Sequence, residues 1–105
     1  MPKPLSYSVL SRLLRKLPAV TVHKSRFSRH DAFHRAGCEF AHFHSEDEVD
    51  LRLTWPKVKV LREVHAGRPG FWFRKGKSDW LEVDRREADP RLLRDLIKEA
   101  HAVAK

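Results

Sequence analysis

Residues 39–54, EFAHFHSEDEVDLRLT, constrain the fold more than any other stretch of the chain. Two runs alternate apolar with polar residues at the two-residue period of a strand, and only the short acidic segment Ser45–Asp47 separates them. Such alternation lets a sheet bury one face and wet the other. It cannot lay an apolar stripe along a helix. The spacing predicts an antiparallel hairpin with arms at 38–44 and 48–54. Its polar positions carry His42 and His44 on the first arm and Asp50 and Arg52 on the second, so strand pairing gathers all four on one side.

The same periodicity assigns the faces. Val49, Leu51 and Leu53 point inward, and Leu81 and Val83 of the later run DWLEVD (79–84) match them. Asp50, Arg52, Trp80 and Glu82 then lie opposite. Residues 39–44 allow two parities. In one, Ala41 and Phe43 face the core with Glu39, which leaves Phe40, His42 and His44 outside. The other buries two imidazoles and exposes Phe43. Burying unpaired polar groups is costly, which favours the first parity, although a β-bulge would reverse it. The outer face is expected to hold His42, His44, Asp50, Arg52, Trp80 and Glu82, with His23 at its edge.

The remaining chain divides around this hairpin. Leu5, Val9, Leu10, Leu13, Leu14 and Leu17 recur at helical spacing and Pro18 ends the run. AVTVHK (19–24) reads as a strand. Residues 25–36 are polar and basic without a clear period, and fit a long loop or a short twisted strand around Ala32–His34. Thr54 stands where it can cap a helix over 56–65, with Pro56 just inside it and Val58, Leu61 and Val64 at intervals of three. Gly67, Pro69 and Gly70 break that helix, Phe71–Phe73 form a short strand, and Lys75–Ser78 a turn. Asp89–Pro90 starts a last helix with Leu92, Leu93, Leu96, Ile97, Ala100 and Val103 on its apolar stripe. The expected fold is α+β: a mostly antiparallel sheet of four to five strands with three helices packed mainly on one face. At 105 residues the chain is read as a single domain spanning 1–105.

Charge and cysteine usage narrow the classes. One cysteine, Cys38, excludes an internal disulfide framework and a multi-cysteine zinc site, and a reducing cytoplasmic setting follows as the expectation. No apolar run reaches transmembrane length, so no membrane insertion is expected, and basic residues interrupt the N-terminal apolar pattern where a signal peptide would be continuous. The net charge is +8, and residues 1–36 alone carry +7. That third includes Arg12, Arg15, Lys16, Lys24, Arg26, Arg29 and Arg35. It is a candidate nucleic-acid or anionic-surface contact, or simply a solvated face.

The outer face supports several chemistries. His42 and His44 project from one side of a strand and can reach one divalent metal, with Asp50, Glu82 or Glu39 as a third ligand; surface histidines bonded to neighbouring acids are the plainer alternative. Either imidazole, poised by Asp50, can carry protons. Cys38 and Ser78 are candidates only for a buried thiol and a turn cap. Phe40 and Trp80 could stack bases while Arg52 meets phosphate, but Glu46, Asp47, Glu48 and Asp50 would repel a nucleic-acid backbone. No phosphate loop, dinucleotide fingerprint or zinc-protease helix is present.

EFAHFH, followed by VDLRLT, SDWLEV and a closing amphipathic helix, resembles the small bacterial luciferase-like domain family over roughly residues 20–104. The resemblance implies motif positions at Glu39, His42, His44, Asp50, Arg52, Ser78, Asp79, Trp80 and Glu82. It implies no assigned reaction and no light emission, and Arg29–Arg35 departs from the pattern. The helix–strands–helix order is also similar to double-wing domains of the YjbR type. The reading that follows is a module binding a small molecule or a protein partner through Glu39, His42, His44, Asp50, Arg52, Trp80 and Glu82. The alternatives are a metal- or histidine-dependent enzyme and a nucleic-acid-binding protein.

Overall fold

The computed structural model describes residues 3–26 and 28–104; Phe27, within the aperiodic basic stretch, lies outside the described residues. Among these residues the order is α1 (Tyr7–Lys16), β1 (Val20–Lys24), β2 (Asp31–Arg35), β3 (Cys38–Phe43), β4 (Glu48–Arg52), α2 (Trp55–His65), β5 (Phe71–Phe73), β6 (Trp80–Asp84) and α3 (Pro90–Val103). The strands form one antiparallel sheet in the order β1-β2-β3-β4-β6-β5. It has six strands where the sequence suggested four to five. The additional strand is β2, whose aperiodic sequence hides it. Ala36 and Gly37, with φ of 51° and 76°, make the two-residue turn that returns β2 onto β3.

Local chemistry sets the helix ends. Ser6 caps α1 through its side chain, which accepts from the Val9 N–H at 3.2 Å. Asp89 caps α3 by accepting from Arg91 N–H at 2.9 Å, with Pro90 in the first helical position. Thr54 occupies the N-cap of α2 but its side chain makes no capping bond. Val64, expected on that helix's apolar stripe with Val58 and Leu61, is 58% exposed. Three-residue steps fall short of the 3.6-residue turn, so two successive steps rotate Val64 off the buried side.

The core is one continuous cluster. Phe33, Ala41, Phe43, Val49, Leu51, Leu81 and Val83 from the sheet meet Leu10 and Leu14 of α1, Val58 and Leu61 of α2, and Leu93, Leu96, Ile97 and Ala100 of α3. Ladder pairing carries this face across the sheet, Val22 to Phe33 to Ala41 to Leu51 to Leu81 to Phe73. The opposite ladder runs His23, Ala32, His42, Asp50, Glu82, Trp72. No described helix is long and apolar enough to cross a membrane.

Candidate functional site

One irregularity decides which residues of β3 reach the outer face. Phe33 pairs with Ala41 but the next residue, His34, pairs with Glu39, so Phe40 is an extra residue in β3. The bulge leaves Ala41 and Phe43 in the core and His42 outside, as alternation predicted. It reverses the two residues before it. Phe40, expected outside, is fully buried against His101 of α3, with ring centroids 5.6 Å apart. Glu39, expected inside by parity, joins the outer face beside His42, another of the motif positions that the resemblance implied.

His42 sits at the centre of this face and is 7% exposed. Its Nδ1 lies 3.1 Å from a Glu39 oxygen and its Nε2 2.9 Å from Asp50 Oδ2. Both ring nitrogens are thus engaged by acceptors, which an imidazole satisfies fully only when it carries both protons. Burial alone would lower its pKa, but the hydrogen bond and charge of Asp50, joined by those of Glu39, outweigh it and hold His42 above its ordinary value. Trp80 covers the ring, with centroids 5.0 Å apart. Glu39 also reaches His34 Nε2 at 3.7 Å. A chain of side chains, His34–Glu39–His42–Asp50, therefore crosses β2, β3 and β4.

Asp50 is 2% exposed, and its Oδ1 has no hydrogen-bond partner. Glu48 lies two residues earlier on the same face. Its carboxyl is pushed up to about 7 by burial first and then by the Asp50 carboxyl beside it, with the charges of Glu82 and Asp84 adding to the effect. Among the described residues, His44, Glu48 and Asp50 offer ligand atoms that all lie within 4.8 Å of one another. His42 does not belong to this trio, since its nitrogens are committed, so the expected His42–His44 pairing on one ion does not match the geometry.

The loop that carries His44 and Glu48 is tied at several points. Ser45 Oγ accepts from the N–H groups of Asp47 and Glu48, each at 3.2 Å, and His44 N–H donates to Glu48 O at 2.9 Å. Arg85 donates to Glu46 O at 2.7 Å and to Asp47 Oδ1 at 2.8 Å, and Arg86 lies 3.6 Å from the other Asp47 oxygen. The Arg85–Arg86 pair thereby balances the Asp47 carboxylate and holds the loop against the turn that follows β6.

An open cleft of about 420 Å³ lies over β3, β4 and β6, lined by Glu39, His42, His44, Asp50, Arg74, Trp80 and Glu82. Six of the seven residues expected from the sequence meet there. The seventh, Arg52, does not. It turns toward the strand end, donating to Cys38 Sγ at 3.3 Å with Asp79 at 3.9 Å, and borders a separate cavity with Thr54 and Val103. Arg74 is the cation in the cleft instead. The alternation of FWFR, with Phe71 and Phe73 inward, carried the signal that would have placed it. Glu48 was equally legible, two residues before Asp50. Ser78 accepts from the Trp80 N–H at 3.1 Å and acts as a turn cap.

Comparison with known proteins bears on this arrangement. No curated protein matches the chain in sequence. The crystal structure of the Deinococcus radiodurans protein DR2400, which carries a DUF419 domain, has the same fold with a TM-score of 0.70 at 14% sequence identity, covering 96% of this chain and 80% of that one. A family model described as the Luciferase domain matches residues 37–100. The match opens at the β2–β3 turn, leaves Arg29–Arg35 outside, and contains every residue that lines the cleft. The chain belongs to the Luciferase domain family.

Proposed function

We propose that the protein is a binding module whose cleft over β3, β4 and β6 takes a small polar molecule. The observation that carries this reading is the floor of the cleft: His42 and Asp50, paired at 2.9 Å and buried on the sheet face opposite the packed helices. Withdrawing two charges from water costs several kcal/mol, and a solvated sheet face has no need of it. The cleft volume falls within the range of small-molecule sites, about 300–1,000 Å³. Trp80 supplies a flat apolar wall, Glu39 and Glu82 supply acceptors, and Arg74 supplies a planar donor. Acceptors outnumber donors, so the best-fitting ligand has a flat body and amine or amidine groups. The same acidity disfavours a phosphate backbone on this face.

The test uses metal-free, isotope-labelled protein titrated with benzamidine and histamine as probes. Amide shifts confined to residues 39–52 and 74–82, and lost in Trp80→Ala, are expected. Shifts at the cavity between Phe71 and Leu92, or none at all with either probe, would end this reading.

A further inference from the structure

We propose that His44, Glu48 and Asp50, where the cleft meets the β3–β4 loop, bind one divalent transition-metal ion. The inference rests on the cleft being the binding site and names a resident ion for it. Asp50 is almost completely buried, its Oδ2 is committed to His42, and its Oδ1 has no partner. A buried carboxylate oxygen is rarely left in that condition. Glu48 stands on the same face of the same strand, and a proton or a cation must lie between two facing carboxyl groups. The imidazole of His44 adds a nitrogen donor that a shared proton has no use for.

The ligand atoms lie within 4.8 Å of one another. Ligand atoms around one tetrahedral ion stand about 3.4 Å apart, so the three must draw together by about 1 Å on loading. His44 is exposed, so its ring can close this difference by rotation. One imidazole and two carboxylates suit Zn²⁺, Mn²⁺, Fe²⁺, Co²⁺ or Ni²⁺. Mg²⁺ prefers oxygen ligands and retains its waters. Three protein ligands leave positions open toward the cleft, where a bound molecule can complete the shell. His42 is a positioning residue here: it orients Asp50, and Glu39 orients it in turn, an outer-shell arrangement familiar at metal centres.

The experiment titrates the full-length, metal-free protein with Zn²⁺ by calorimetry and with Co²⁺ by visible absorption. One ion per chain is expected, without competition from Mg²⁺. Glu48→Gln and His44→Ala should each weaken binding at least about ten-fold, and His44→Ala should change the Co²⁺ spectrum because a nitrogen ligand is lost. His42→Gln should weaken binding by about 10–100-fold while the spectrum keeps its shape, since the ligand set is intact. His44 is exposed and Glu48 only partly buried, so these variants fold even if Asp50→Asn does not. No binding at millimolar Zn²⁺, or binding unchanged in both Glu48→Gln and His44→Ala, overturns the proposal. Amide shifts with benzamidine or histamine on metal-free protein report on the cleft separately: shifts without metal binding sink only the ion, and metal binding without shifts sinks only the small-molecule reading.

Discussion

With a carboxylate at each ring nitrogen, His42 is a brace between β3 and β4 and has no nitrogen free to take a proton from a ligand. Its value to the fold depends on charge pairing in a buried place. Removing the imidazole leaves Asp50 charged and alone, which is the costly way to break such a pair. His42→Ala should lower the unfolding free energy by about 3 kcal/mol. The double variant His42→Leu with Asp50→Leu should lose less than His42→Ala alone, because no orphaned charge remains. Urea denaturation of both variants decides this; a double variant that loses as much as His42→Ala, or more, would show that no orphaned charge drives the loss. The sequence made the company of these two residues legible, since period-2 alternation on two adjacent arms left little choice. It did not make the destiny of Arg52 legible. A long side chain at a strand end can bend over the edge, and here Asp79 and Cys38 draw it there. Periodicity fixes where a side chain leaves the backbone, and a four-bond reach lets arginine end elsewhere.

At the scale of elements, the turns matter as much as the strands. Gly70 precedes β5 with φ of 91°, and its carbonyl accepts from Asp84 N–H at 2.8 Å. A Cβ added there would stand 2.5 Å from the backbone nitrogen of Ala88. Gly37, in the β2–β3 turn, also has a positive φ but has open space around it. Gly70→Ala should therefore cost roughly 2–5 kcal/mol, combining backbone strain with overpacking, and Gly37→Ala about 1 kcal/mol from strain alone. Thermal unfolding of the two variants side by side tests the difference; equal shifts would mean that the approach of Ala88 to Gly70 relaxes freely. Most element boundaries were legible from caps and breakers, as at Pro18, Asp89 and Pro90. The second strand was legible only as one of two alternatives, a long loop or a short strand around Ala32–His34: its five residues, DAFHR, bury Ala32 and Phe33 side by side, so no clean alternation decides between them.

At the scale of the molecule, a six-stranded open sheet keeps its apolar residues and helices on one side and its ionisable residues on the other. The basic N-terminal third is partly consumed in holding this together: Arg15 and Lys24 pair with Asp31, and Arg35 donates to His101 O at 2.8 Å. Asp84 plays a comparable part at the far end. It accepts from the Arg86 backbone N–H and guanidinium and closes the turn that follows β6. The Arg86 guanidinium hydrogen-bonded to it holds its carboxyl below the ordinary carboxylate range, against the opposing effect of burial and with help from the Arg86 N–H. A carboxyl depressed in the folded state contributes stability that is complete above its unfolded value, about 3.9, and is lost as pH falls through the folded one. Asp84→Asn should thus be less stable than the parent at neutral pH, with the gap narrowing below about pH 4. Chemical denaturation across pH 2.5–7 measures it; a gap that stays constant throughout would show that the Arg86 contact does not depend on the carboxylate charge.

The single extra residue at Phe40 has a consequence for anyone who would edit or transplant this surface. Because β3 changes sides at that point, the aromatic plug beneath the sheet and the acid above it are adjacent letters of the chain. Deleting Phe40 would restore a regular ladder with Glu39 still on the cleft side but the seal gone, whereas straightening the strand with that residue kept would send Glu39 toward the oily interior and eject the ring. The polar constellation cannot be copied onto an evenly pleated scaffold from its side chains alone; the kink in the backbone has to travel with it.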